Sequence, residues 1–402
     1  MFKRLEKHPK LFFINIFLLL NLLFVGYLFL IKPKLKKKDD LTELVTSAMA
    51  KRTKLETNVA ASEQPDYMPS DNLYLIDSIY NKMSPAERAS QMIMVGTSEK
   101  YGIGLPYAQV KALIKNKLVG GVLFLKGNSE HFKSQRIELD TLSKADAIKQ
   151  WYACDCEPTL FHKKFIDMDS VLPASQLQTT ELLDSTVGII NKRIKEMGLQ
   201  INFAPVADIA VNQEIINQRS FGNNPEKVEE LSNEFIQLSR RKNILCAIKH
   251  FPGHGAVTGD THKGTVYIDG DLTELMTFKN IILNAQPDFV MIGHMSVENN
   301  PKYATNGKPC SISKTIVTNL LKEEIGYQGI AITDAMNMAA VKKYPNADWQ
   351  AILAGNDIIL MPMNATGLNL QIQKALLQNN ALSKQLEKSI KKIIALKLSK
   401  KN

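Results

Sequence analysis

Ile244-Leu245-Cys246-Ala247-Ile248-Lys249-His250-Phe251 is an apolar run of strand length that carries a lysine and a histidine just before its last residue. Asn243 precedes it and Pro252-Gly253 follows, so turn chemistry bounds it at both ends. A strand without polar alternation is buried on both faces, as in a parallel sheet covered by helices. Seven further runs of this kind lie between residues 70 and 402: Gln91–Thr97, Val119–Lys126, Gln150–Glu157, Ile201–Ile209, Asp288–Met295, Gly329–Met336 and Asp357–Pro362. Intervening segments such as Thr179–Met197, Pro225–Lys242, Lys314–Ile325 and Leu368–Leu377 carry apolar residues at three- and four-residue spacings, as helices packed on a sheet do. Eight β-α units in about 330 residues predict an α/β fold of the (β/α)8 TIM-barrel type, with an open doubly wound sheet as the alternative.

A barrel carries its chemistry at the C-terminal ends of its strands. The third run ends Cys154-Asp155-Cys156-Glu157, the fourth at Asp208, the fifth at Lys249-His250, the sixth at His294 and the seventh at Thr333-Asp334. Buried Asp, Lys and His are uncommon unless paired, so five such ends on one rim mark a candidate site. Any single strand-end Asp also has a plainer reading, as the cap of the helix that follows.

After the fifth run the chain reads Lys249-His250-Phe251-Pro252-Gly253-His254-Gly255-Ala256-Val257-Thr258-Gly259-Asp260-Thr261-His262. Pro252, Gly253, Gly255 and Gly259 prevent a regular helix, so His250 and His254 do not form the helical pair of a metalloprotease. A flexed loop with Asp260 two residues before His262 suits a carboxylate that orients an imidazole, which then gives and takes a proton near neutral pH. Asp334, presented at a strand end, fits a nucleophile, a metal ligand or a helix cap. A nucleophilic carboxylate paired with a separate acid/base is the chemistry of retaining glycoside hydrolysis.

On these residues the chain resembles glycoside hydrolase family 3, in its β-N-acetylglucosaminidase (β-N-acetylhexosaminidase) branch. The motifs that carry the resemblance are Asn202-Phe203-Ala204-Pro205-Val206-Ala207-Asp208, Arg219-Ser220-Phe221-Gly222, Lys249 to Gly255 with Asp260-Thr261-His262, and Thr333-Asp334-Ala335-Met336. The match spans roughly residues 75–402. The resemblance implies Asp334 as nucleophile, His262 held by Asp260 as acid/base, and Asp155, Arg219, Lys249 and His250 as contacts to sugar hydroxyls. It implies an exo-acting enzyme that removes terminal β-linked N-acetylhexosamine, from peptidoglycan fragments or related amino sugars, with no metal and no cofactor. Three other readings stand beside it: a β-glycosidase of other specificity such as a β-glucosidase, a catalytically weak sugar-binding homologue, and a metal-dependent hydrolase using His250, His254, Asp260 and His262.

One departure bears on the site. The family usually follows the third-strand Asp with x-Glu-Gly-Gly, whereas this chain has Asp155-Cys156-Glu157-Pro158-Thr159. Pro fixes φ and Thr does not adopt glycine-only conformations, so a loop of different shape is expected around the terminal sugar. Thr261 in place of the commoner Ser is a milder change.

The 402 residues, 45% hydrophobic and 22% charged, exclude a disulfide mini-protein, a collagen-like repeat and a wholly disordered chain. The net charge of +10 suggests nucleic acid until it is located. Lys3, Arg4, Lys7, Lys10, Lys32, Lys34, Lys36, Lys37 and Lys38 oppose only Glu6 at the N-terminal end, and seven lysines oppose only Glu387 within residues 381–402. The body between is mildly acidic, which argues against a nucleic-acid partner. Leu11–Ile31, interrupted only by Asn15 and Asn21, is long enough to span a bilayer, so residues 1–31 are expected to be a cytoplasmic tail and membrane anchor with the body exported. Residues 32–70 are expected to be a polar tether, and 71–402 the barrel, with no length left for a second folded domain. Cys154, Cys156, Cys246 and Cys310 show no disulfide or zinc-site spacing and are expected to be thiols.

Overall fold

The computed structural model describes residues 70–146, 148–168, 170–212, 216–260 and 265–399. The expected anchor and the expected tether up to residue 69, together with Thr261 and His262, lie outside the described residues. Among the described residues no helix is long and apolar enough to cross a membrane.

Among the described residues eleven strands follow one another: β1 (Ile93–Thr97), β2 (Gly121–Phe124), β3 (Trp151–Cys154), β4 (Ile201–Asn202), β5 (Leu245–Phe251), β6 (Thr258–Asp260), β7 (Thr265–Asp269), β8 (Phe289–Ile292), β9 (Ser296–Glu298), β10 (Ile330–Thr333) and β11 (Ile359–Leu360). Each of the eight apolar runs contains one of the strands β1 to β5, β8, β10 and β11. These eight pair in parallel, in chain order, around one sheet. β11 pairs with β1 through Ile93↔Ile359, and Ile332 bridges Ile358, which closes the sheet on itself. An open doubly wound sheet would reverse its strand order and leave two edges; this one does neither, so the fold is the barrel.

Every residue of β1, β2, β3, β8 and β10 is buried, as apolar strands between a barrel interior and a helical coat must be. Each such Ile, Val or Phe contributes about 1.5–3 kcal/mol through removal from water. Ladder pairing is shorter than the apolar runs. In the fourth run only Ile201–Asn202 is a strand, because Pro205 has no N–H to give and the buried chain beyond Asn202 turns into the rim.

The coat helices start where the side chains predict. Thr179 accepts a bond from the Leu182 N–H to start Thr180–Glu196, and Asn224 accepts from Lys227 to start Pro225–Arg240, with Pro225 in the first turn. The apolar spacing of Lys314–Ile325 predicts an ordinary helix; Thr315–Glu324 instead has π-type hydrogen bonding.

The C-terminal helix Ala381–Ser399 shows what part of the terminal charge is for. Asp357, fully buried before β11, accepts from Lys322 Nζ (2.9 Å), Lys392 Nζ (2.8 Å), Ser389 Oγ (2.6 Å) and the Ala331 N–H (2.8 Å). Burial works against this carboxylate, but the two lysines hold it well below the usual range. The group therefore stabilises the fold above the unfolded carboxylate range, and that contribution is lost as pH falls. Asp357→Ala, which leaves two lysines facing an empty corner, is expected to lower unfolding free energy by about 3–5 kcal/mol in urea titrations.

Outside the barrel, β6 and β7 form an antiparallel hairpin and β7 pairs in parallel with β9. The segment expected as an irregular flexed loop is thus partly strand. Val266, Tyr267 and Ile268 supply the β-forming side chains that make the hairpin, and Gly259 is accommodated inside β6.

Candidate active site

The rim at the C-terminal strand ends is built on a chain of alternating charges. Past β3, Asp155 accepts from Lys249 Nζ on one carboxylate oxygen (2.5 Å) and from Lys164 Nζ on the other (2.9 Å). Lys249, near the end of β5, also reaches Glu157 Oε1 (2.9 Å). Glu157 in turn takes a two-pronged bond from Arg219, from Nε and Nη2, each at 2.8 Å. The result is one network, Lys164–Asp155–Lys249–Glu157–Arg219, with Lys249 and Glu157 almost wholly removed from water. Burial opposes charge on both carboxyls, yet Lys249 with Lys164, and Lys249 with Arg219, hold Asp155 and Glu157 below the ordinary range. Burial likewise opposes the Lys249 ammonium, and the two carboxylates raise it.

The altered loop explains how Glu157 is seated without the two glycines. Thr159 donates its hydroxyl proton to the Gln218 carbonyl (2.7 Å) and accepts from the Ala174 N–H (3.0 Å). It ties the loop after β3 to the residue before Arg219. Asn202 holds the adjoining backbone, accepting the Cys156 N–H at 2.9 Å.

A second unit lies beside the first. Asp208, fully buried, accepts the backbone N–H groups of His250 (2.9 Å) and His254 (2.8 Å) on Oδ1, and His250 Nδ1 (2.6 Å) on Oδ2. An imidazole that gives its Nδ1 proton to a carboxylate has its ring plane and tautomer set, leaving Nε2 for another partner. The loop needs glycine at one point: a Cβ on Gly255 would lie 1.6 Å from the Ile209 carbonyl oxygen. His254, close by, is held neutral by burial and by the neighbouring His250, its pKa pushed down to about 4.

Asp334 follows β10. Its N–H donates to the Ile292 carbonyl (2.9 Å), and its Oδ1 accepts from the Ala335 N–H (2.7 Å). The next helix, Ala339–Lys342, begins five residues on with Met338 at its cap, so Asp334 is not a helix cap. Burial opposes its charge, but His294, His250, the Ala335 N–H and Lys249 together keep the carboxyl below its usual range, ionised at neutral pH. His294 is fixed between Ser311 Oγ (2.8 Å) and the Ala335 carbonyl (3.0 Å).

Of the expected site residues, Asp155, Arg219 and Lys249 meet in one network, with His250 next to Lys249 on β5 and Asp334 after β10, two places along the sheet from β5. Asp260 ends β6 on the hairpin, opposite Thr265; its expected partner His262 lies outside the described residues. Glu157, Asp208 and Lys164 complete the pairs; the sequence marks the first two as strand-end acids without a partner and gives Lys164 no part. For Glu157 and Asp208 a signal existed, since each is a strand-end acid that a buried base needs as partner; Lys164 sits in a surface-like Lys pair and carried none. All four cysteines are buried free thiols, as expected.

Comparison with known proteins agrees with this architecture. The family model for the glycosyl hydrolase family 3 N-terminal domain matches residues 86–396. The chain is 33% identical over 234 residues to β-hexosaminidase A of Pseudoalteromonas piscicida, an alignment covering 52% of this chain and 39% of that relative. It is 27% identical over 274 residues to a β-hexosaminidase of Tolumonas auensis, covering 65% of this chain and 80% of that one. The first of these relatives is therefore matched over well under half its length. Among solved structures, a β-glucoside phosphorylase, BglX, superposes with a TM-score of 0.71 at 20% identity, over 85% of this chain and 64% of that chain. At that identity the likeness speaks to the fold.

Proposed function

Because this chain belongs to glycosyl hydrolase family 3, we propose that it is a retaining exo-β-N-acetylglucosaminidase acting on terminal β-linked N-acetylhexosamine. The observation that carries the reading is Asp334, a carboxylate kept ionised at the end of β10 on the rim that also bears the Asp155–Lys249–Glu157–Arg219 network. The β-hexosaminidase relatives support the amino-sugar preference.

In the proposed reaction Asp155, Arg219, Lys249 and His250 hold the hydroxyls of the terminal sugar. An Asp334 oxygen attacks the anomeric carbon, the bond to the aglycone oxygen breaks, and His262, oriented by Asp260, gives that oxygen its proton. Water then loses a proton to His262 and opens the glycosyl ester, so two inversions return the original anomeric configuration. The leaving group comes from peptidoglycan fragments in this reading, and the barrel is displayed outside the cytoplasm on the anchor at residues 11–31, which the apolar run supports.

A panel of aryl β-glycosides tests the assignment. The N-acetylglucosaminide is expected to turn over at least about tenfold faster than the glucoside, with the β-anomer of the free sugar appearing first by NMR. A preference for the glucoside would replace the amino-sugar reading by that of a β-glucosidase, and an α-anomer first would overturn the Asp334 ester. A topology reporter fused after residue 402 locates the C-terminal side of the anchor.

A further inference from the structure

Glu274 is a buried acid outside the charge network described above. It stands at the N-terminus of the helix Leu275–Ala285, just beyond the chain that returns from the β6–β7 hairpin. Its side chain does not turn toward its own helix. Oε1 accepts the N–H groups of Gly255 (2.8 Å) and Ala256 (3.0 Å), and Oε2 accepts the N–H of Ile209 (2.6 Å). Gly255 and Ala256 are where the chain leaves β5 for the hairpin; Ile209 follows Asp208 in the loop after β4. One carboxyl therefore fastens the outgoing and returning ends of the hairpin loop to each other, and both to the segment that carries Asp208. The approach is tight: Cβ atoms added at Gly253 and Gly255 would meet Glu274 side-chain atoms at 2.6 and 2.9 Å.

Three N–H groups collected from two loops are more than a helix start needs, and all three belong to residues beside the Asp208–His250–His254 unit. We propose that Glu274 is a positioning residue: by clamping Ile209, Gly255 and Ala256 it keeps Asp208 in register with His250 and fixes the base of the hairpin that bears Asp260. The catalytic consequence rests on the glycosidase reading; the geometric one does not. Burial, with the Asp208 charge nearby, pushes the Glu274 carboxyl up to about 8 against the pull of its three donors, so variants are compared at one fixed pH.

Glu274→Gln is the discriminating variant, because the amide keeps one acceptor oxygen and turns an N–H₂ donor toward another donor. The oxygen serves best where two N–H groups converge, at Gly255 and Ala256, which leaves Ile209 without a partner. Expected in hydrogen exchange is a loss of protection at the Ile209 amide of about tenfold or more, with Gly255 and Ala256 little changed. The Asp208-bound imidazole proton of His250, identified in the NMR spectrum by its loss in His250→Ala, is expected to broaden or exchange faster. With the aryl N-acetylglucosaminide, kcat is expected to fall about tenfold or more with KM within about twofold.

An unchanged Ile209 amide and imidazole proton would overturn the proposal, as would a fall in melting temperature with His250 unaffected, which marks a purely structural acid. Absence of turnover in the unaltered protein would defeat the glycosidase reading instead, while the exchange and imidazole measurements still decide the clamp. Should Glu274→Gln not fold, Glu274→Asp, one methylene short of spanning both loops, is measured in the same way. Rapid exchange of all three amides in the unaltered protein would refute the clamp without any variant.

Discussion

Asp334→Ala is expected to reduce turnover of an aryl β-N-acetylglucosaminide by at least about a thousandfold, because no covalent ester forms without that carboxylate. Some loss of stability at neutral pH is expected alongside, since a carboxyl held below its usual range contributes to the fold while ionised. The side chain is a buried charge that accepts from the adjacent Ala335 N–H, and burial opposes its ionisation. The nearby His294, His250 and Lys249 outweigh burial and hold the group ionised, as a nucleophile requires. Initial rates with a parallel thermal melt check both halves, and a variant with undiminished turnover removes Asp334 from the nucleophile's role.

Lys249→Ala is expected to cost both activity and stability. The ammonium sits between Asp155 Oδ1 and Glu157 Oε1, and its loss leaves Asp155 with its Lys164 pair and Glu157 with its Arg219 pair. Breaking a buried pair costs about 3–5 kcal/mol, and the remaining cations place this case near the lower figure. Turnover is expected to fall by about a hundredfold or more, since two carboxylates that the clamp aligned are free to move. The pH dependence follows from the same network. Asp155 and Glu157 are held below their unfolded pKa values, so the stability they contribute is present above about pH 4 and is lost as the medium is acidified. In the variant this acid-side loss is expected to flatten. Urea titrations at neutral and acid pH measure it, and an undiminished slope would show that Lys249 does not hold the pair.

The barrel was legible because burial on both strand faces imposes a pattern that eight runs display without tertiary information. Ile244–Phe251 needs no partner strand in view to be recognised as interior, and the polar group at its end marks the rim. The helical stretches Thr179–Met197 and Pro225–Lys242 were legible for a similar reason, since their apolar spacing is a property of one element. The hairpin was not, because the glycines that forbid a helix say nothing of the cross-strand pairing of Thr258–Asp260 with Thr265–Tyr267.

Pairing of charges is where the chain by itself falls silent. Sequence marked Asp155, Asp208, Lys249, His250 and Asp334 as rim groups, because an ionisable residue that ends an apolar run is costly to bury unless it finds a partner or meets a ligand. Which acid serves which base depends on contacts made across about 40 to 95 residues of chain, between loops whose separation only the closed barrel sets. Glu157 bridging Lys249 to Arg219, Asp208 holding His250, and Glu274 drawing two loops together are all of this kind. Local periodicity reports the face a residue turns to the core, a property of one element. Hydrogen-bond partnership at the rim is a property of several elements at once, and it exists only after the eighth strand has met the first.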